Sequence, residues 1–175
     1  MSHIAVIGGS GFASLPGMEF LGEACPETPY GQPSAPIQQG RLAGGDFLFL
    51  SRHGLHHRIP PHAVNYRANI WALKSLGAER VVGLAAVGGI HAAYGPKLLA
   101  APDHLIDYTH GRDQTFHEGG EAGVVHIDFT RPYCEALRAD LLRLARASGI
   151  AMVDGGTHGV TQGPRLETAA EIRRM

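Results

Sequence analysis

Three features of the 175-residue sequence predict an α/β fold built on a central, mixed and largely parallel sheet. Short apolar runs of strand length alternate with longer segments of helical period, the pattern of strand–helix–strand crossovers. The first apolar run, HIAVI at His3–Ile7, passes directly into Gly8-Gly9-Ser10-Gly11 and reads as a buried strand entering a tight loop. Further glycine pairs, at Gly44-Gly45, Gly88-Gly89, Gly119-Gly120 and Gly155-Gly156, fall between the other segments, where chain reversals use them.

The elements follow in order. After the first strand and its loop, the proline-rich stretch from Pro26 to Pro36 has no helical period and is expected to be irregular. DFLFL at Asp46–Leu50 is the next strand and ends at Ser51-Arg52-His53-Gly54. Pro60-Pro61 can start a helix. Val64, Ala68, Trp71, Ala72 and Leu76 recur on one face at helical spacing, and Gly77 suits the C-terminal cap. Arg80–Ala86 is a strand closed by Gly88-Gly89, His104–Tyr108 another, and Val124–Ile127 a weaker one. Pro132–Ser148 is an amphipathic helix with Tyr133, Leu137, Leu141 and Leu144 on one face, and Ile150–Val153 reads as a strand after it. Thr168-x-x-Glu171 is a capping box opening a last helix. That helix reaches Met175 after about two turns, so the sequence reads as one domain, residues 1–175, cut at its C-terminus.

Composition narrows the function. A chain that is 44% hydrophobic and 18% charged is globular, and its length suits a single core. A formal charge of −1 gives no reason to expect nucleic acid or an anionic membrane as partner. No apolar run is long enough for a leader or a membrane span. Cys25 and Cys134 form no CxxC pair, so a disulfide framework or zinc knuckle is not indicated and the cytoplasm is the expected compartment.

Against that neutral background, Ser51–Gly77 gathers His53, His56, His57 and His62 with Arg52, Arg58 and Arg67. Ligands of open α/β sheets sit at the carboxyl ends of strands. The strand ends here carry Ser10, Arg52-His53 and Ala85-Ala86. If these strands are neighbours, a hydroxyl, a guanidinium, an imidazole and free N–H groups meet, a set suited to a doubly charged oxyanion. The plainer reading pairs Arg52 with a surface carboxylate and buries His53 as a satisfied imidazole. The glycine loop is likewise either a phosphate cradle or a tight turn without a ligand. It is not a dinucleotide fingerprint, which would require glycine at Ser14, nor a Walker loop. The histidines offer no HxxxH on a helix that would present two ligands from one face, and the stretch contains no Asp or Glu, so no metal is expected. Glu167, just before the last helix, could accept a hydrogen bond from a ring N–H or serve only as a helix-entry residue near the helix dipole.

Several motifs in order carry a resemblance. IGGSGF at Ile7–Phe12, TPYGQPS at Thr28–Ser34, SRHGLHH at Ser51–His57 and NYRANIWALKSLG at Asn65–Gly77 are followed by AAVGGI at Ala85–Ile90, IDYT at Ile106–Thr109 and QGPRLETAAEIR at Gln162–Arg173. Together they resemble the methylthioadenosine phosphorylase and purine nucleoside phosphorylase family almost end to end. VGGIHAA and TQGPRLET are most similar to its bacterial methylthioinosine branch. The resemblance implies a three-layer α/β phosphorylase fold and a homotrimer. The implied reaction is phosphorolysis of a purine nucleoside, with inorganic phosphate as co-substrate and no cofactor. It places Ser10, Arg52, His53, Ala85 and Ala86 at phosphate, and Val87 and Gly88 beside the base. Leu166 stands where relatives stack a phenylalanine on the purine, Glu167 at the base edge, and His126 where relatives reach across a subunit interface toward the 5′ group.

Two departures bear on activity. Ala85 replaces the Ser, Thr or Asn usual in the family and loses a side-chain hydrogen bond. The family's Met-Thr pair and the acid that helps the purine leave are expected beyond Met175, so the catalytic acid is not assigned and the 175-residue polypeptide is expected to turn over poorly. The alternatives are a non-catalytic relative that keeps the fold and a phosphate site, and a Rossmann-type nucleotide binder. The second leaves Arg52-His53 and GPRLET unexplained.

Overall fold

The computed structural model describes residues 3–12 and 15–175; Ser14 lies outside them. The chain divides into two compact units, Met1–Ala86 with Gly111–Phe116, and Val87–His110 with His117–Met175.

The first unit is a five-stranded mixed sheet with one long helix. Its strands are β1 (His3–Gly8), β2 (Glu19–Ala24), β3 (Ile37–Leu42), β4 (Gly45–Ser51) and β5 (Ala78–Gly83), in the order β2-β3-β4-β1-β5. β1 runs parallel to both neighbours, with Gly8 opposite Ser51 and Ile7 opposite Gly83. β2–β3 and β3–β4 are antiparallel. Leu48, Phe49 and Leu50 are all buried, so β4 is covered on both faces, as its unbroken apolar run requires. Ala5, Ile37, Leu48 and Leu50 form the core with Ala72 and Leu73 of helix α1 (Tyr66–Ser75). Burying each leucine contributes about 1.5–3 kcal/mol.

α1 differs from expectation at its start and on its face. Pro61–Ala63 forms a short 3₁₀ turn instead of the first helical turn, and Asn65 caps α1 by accepting the Ala68 N–H at 3.1 Å. Trp71 is 41% exposed, and its ring meets the edge of Tyr30 at 5.7 Å; the buried face is Ala68, Asn69, Ala72 and Leu73. Asn69 is buried because it has work for both amide atoms. It donates to Ser34 Oγ at 3.0 Å and accepts the Ser34 N–H at 2.7 Å, while Asn65 donates to the Tyr30 carbonyl at 2.6 Å. The irregular TPYGQPS segment is thereby tied to α1. Gly77, at φ 88°, ends the helix as a left-handed cap.

The second unit holds two parallel strand pairs. β6 (Leu99–Ala101) pairs with β8 (Met152–Asp154), and β7 (His104–Asp107) pairs with β9 (Thr157–Val160). Helix α2 (Glu135–Ala147) is bound to the first pair through Arg138. That side chain donates to the Ala101 and Pro102 carbonyls at 3.2 and 2.9 Å and to Asp154 at 2.6 Å. The buried residues of α2 are Leu142 and Ala145, whereas Leu144, expected on the inner face, is 52% exposed. Val124–Ile127 forms no strand; the segment is irregular and its apolar side chains face out. Helix α3 (Ala169–Arg174) opens with the expected capping box between Thr168 and Glu171. No helix among the described residues is long and apolar enough to cross a membrane.

Candidate functional site

In the first unit β1 lies between β4 and β5, all three parallel, so their carboxyl ends share one edge of the sheet. Ser10, Arg52-His53 and Ala85-Ala86 follow those ends. Arg52 links all three. Its backbone N–H donates to the Gly8 carbonyl at 3.1 Å, and its Nη1 donates to the Leu84 carbonyl at 2.9 Å. The guanidinium lies directly over Gly9, where a Cβ would fall 2.6 Å from Cζ and 2.8 Å from Nη1. Glycine at this position is therefore a requirement of close approach and not of backbone angle, since Gly9 is absent from the positive-φ glycines.

Arg52 is half-buried and forms no ion pair among the described residues. Burial, its strongest influence, lowers its pKa, and Tyr66 acts weakly the other way; a guanidinium nonetheless stays charged. Nε and Nη1 have protein partners, and Nη2 has none among the described residues. A desolvated cation with open donors at a sheet edge favours an anion. The Ser10 hydroxyl and the Ala85 and Ala86 N–H groups add donors without acceptors among the described residues.

His53 is 6% exposed and has both ring nitrogens engaged. Nδ1 lies 2.9 Å from the Ile59 carbonyl, and Nε2 accepts from Arg52 Nε at 3.2 Å. Burial holds its pKa below the ordinary value. The exposed His57 packs its ring 4.4 Å from that of His53. Among the described residues, no group of three or more His, Cys, Asp or Glu side chains could hold a metal ion.

The positions that the resemblance sets beside the nucleoside all belong to the second unit. Glu167 lines an open cavity of about 340 Å³ with Tyr108, His110, Thr161 and Gln162. The Thr161 hydroxyl, and then its own backbone N–H, hold the Glu167 carboxyl below the usual carboxylate range. The neighbouring turn is clamped by Arg165, which makes two hydrogen bonds to Glu171 at 2.9 and 2.8 Å. Glu171 also accepts the Thr168 N–H at 2.7 Å, and the hydrogen bonds from Arg165 first, then the one from Thr168, bring its pKa down to about 2. Leu166 is 84% exposed and Val87 66%. Gly88 is exposed, with open space where a Cβ would stand. His126 is exposed within the irregular run between Val124 and Ile127.

Sequence reasoning missed the partners that seat these groups: Gly9 under the guanidinium, the carbonyls of Leu84 and Ile59, Thr161 beside Glu167, and the Arg165–Glu171 clamp. Gly9 had a signal in the GGSG run. Backbone carbonyls have none, because every residue carries one.

A family model described as the Phosphorylase superfamily matches residues 3–175. A probable S-methyl-5′-thioinosine phosphorylase of Pseudomonas syringae pv. tomato is 51% identical over 175 residues, covering 100% of this chain and 71% of the relative. A purine nucleoside phosphorylase of Streptomyces coelicolor is 45% identical over 176 residues, covering 97% of this chain and 62% of the relative. The structure of methylthioadenosine phosphorylase from Schistosoma mansoni in apo form superimposes with a TM-score of 0.92 at 30% identity, over 99% of this chain and 68% of that one.

Proposed function

The chain belongs to the phosphorylase superfamily, and from that premise we propose that it cleaves the N-glycosidic bond of 5′-methylthio purine nucleosides with inorganic phosphate. The products are the purine base and 5-methylthioribose 1-phosphate, which makes it a pentosyltransferase of purine salvage. The observation that carries the reading is Arg52: a half-buried cation that bridges three parallel strand ends and has no carboxylate partner among the described residues.

The chemistry suits such a group. A phosphate oxygen attacks the anomeric carbon as the bond to the purine nitrogen breaks, and the purine departs with a proton. Between the two, the sugar carries oxocarbenium charge. Arg52 holds the nucleophile in place, and the dianion it holds stabilises that charge. Phosphate is itself the nucleophile and co-substrate, so the reaction calls for no cofactor and no covalent enzyme intermediate.

We read residues 1–175 as one phosphorylase domain. Its phosphate-side residues are Ser10, Arg52, His53, Ala85 and Ala86, and its nucleoside-side residues are Val87, Gly88, His126, Leu166 and Glu167. An ionised Glu167 accepts the N1–H of a 6-oxopurine, whereas adenine N1 is itself an acceptor, so methylthioinosine is the preferred substrate. Phosphate-dependent purine release from methylthioinosine, methylthioadenosine and inosine is the test. Methylthioinosine should be fastest, by on the order of tenfold or more over methylthioadenosine. A wide preference for methylthioadenosine would overturn the role of Glu167, and no phosphate-dependent release from any of the three, even at the low rate expected of the 175-residue polypeptide, would overturn the activity.

A homotrimer is part of this reading. Val124, Ile127 and Phe129 are 80%, 66% and 57% exposed around His126, an apolar run that a subunit contact would cover. Sedimentation equilibrium is expected to return three times the chain mass; a monomer throughout the micromolar range would refute it.

A further inference from the structure

We propose that the His53 side chain has a positioning role: as a neutral hydrogen-bond acceptor it aims the Arg52 guanidinium, and its imidazole does not itself bind the anion. The inference rests on the reading of Arg52 as the phosphate-binding cation.

The geometry leaves His53 little choice of role. A carbonyl oxygen only accepts, so Nδ1, 2.9 Å from the Ile59 oxygen, carries the proton. Nε2 is then a lone pair, and Arg52 Nε donates to it at 3.2 Å. No ring N–H remains to offer an anion. The ring is held in turn by the chain, because the Ile59 N–H donates back to the His53 carbonyl at 2.9 Å and closes the loop between them. Three fixed acceptors therefore seat Arg52: the Gly8 carbonyl takes its backbone N–H, the Leu84 carbonyl takes Nη1, and His53 takes Nε. Nη2 is the terminal nitrogen left to face a ligand. Without His53 the side chain would keep its charge and one side-chain anchor and lose its aim.

Protonation would undo this arrangement, since an imidazolium has no lone pair and would turn an N–H toward a guanidinium. The titratable and charged groups acting on His53 are Arg52 from the end of β4 and His57 from the adjoining turn, with Tyr66 of α1 acting on Arg52. Burial first, then these charges, keep the imidazole below its ordinary value of 6.5, against the opposing bond to Ile59. A depressed histidine value favours the neutral form, so the contribution is complete above that ordinary value and is lost as pH falls through the lower folded value.

Phosphate binding by calorimetry tests the proposal without depending on turnover. His53→Ala is expected to weaken inorganic phosphate binding about tenfold or more at neutral pH. His53→Gln, whose amide oxygen can accept from Arg52 Nε, should recover most of that loss. Comparing wild type with His53→Gln at about pH 7.5 and about pH 5.5 cancels the titration of phosphate itself, and acidification should cost the wild type more. Glutamine no better than alanine, or wild type gaining on glutamine as pH falls, would overturn the proposal, the latter marking a direct imidazolium donor. Should either variant fail to fold, nitrogen-15 spectra of the wild-type histidines decide. They should show the Nδ1–H tautomer at His53, unmoved by phosphate, and an Nε2–H signal would refute it. Undiminished phosphate binding by Arg52→Ala would instead sink the anion-site reading beneath the inference.

Discussion

Arg52→Ala is expected to lower kcat/KM for phosphate about 100- to 1000-fold, the range seen when a preorganised donor to a reacting oxyanion is removed. The fold should survive. The substitution strands the Leu84 carbonyl and the His53 acceptor, a loss of about 1–3 kcal/mol for each group that stays buried and unsolvated. It also removes a desolvated cation that has no carboxylate partner among the described residues, which offsets part of that loss. Thermal unfolding should therefore move by only a few degrees. Arg52→Lys should recover little. Lysine supplies a point charge, but it cannot donate at once to Leu84, to His53 and to an anion from one rigid plane. Phosphate kinetics beside a melting curve check both halves. Unchanged phosphate dependence would remove Arg52 from the site, and wholesale unfolding would make its role structural.

Gly9→Ala is the sharper expectation, because it separates function from stability. The added methyl group would stand where the guanidinium now lies, 2.6 Å from Cζ. Its backbone angle is not among the left-handed ones, so alanine is not strained there. What must give way is the far end of a long side chain, which is an inexpensive adjustment for the fold. Stability should change by less than about 1 kcal/mol. For an anion site the same displacement is severe, since a donor moved by about 1 Å can lose on the order of 100-fold. The expected result is a variant that melts like the wild type and binds phosphate at least about tenfold more weakly. Normal phosphate affinity would mean that the guanidinium can bind from another position, and the close approach over Gly9 would lose its meaning.

Both expectations depend on a juxtaposition that could be read only in part from the residues. HIAVI-GGSG and DFLFL-SRH are local statements, each an apolar run followed by a loop with chemistry in it. They proved to be the central strands β1 and β4, and the carboxyl-end rule then located Arg52 without a partner structure. The ribbon of β2 and β3 was invisible. EFLGEA is interrupted by Gly22 at a register shift, and IQQGRL has no alternation of polar and apolar residues. Strands of that kind are held by the neighbour they pair with and carry little signal of their own. β6 and β9 were missed for length, at 3 and 4 residues. Trp71 and Leu144 show the reverse error. Helical period correctly indicated a helix in each case, but which side chains become buried depends on what packs against it, and period alone does not say.

By itself the sequence determined the α/β class, the existence of α1, α2 and α3, the capping box at Thr168, and, through ordered motifs, the family. These rest on contacts within a few residues, or on residue types that chemistry restricts. Tertiary structure alone decided that Gly9 lies beneath Arg52, that the Leu84 carbonyl anchors Nη1, and that both nitrogens of His53 are engaged. The reason is physical. A backbone carbonyl is the same group at every position, and an imidazole can donate or accept at either nitrogen, so the role of each is set only when the fold brings a distant partner within hydrogen-bonding distance.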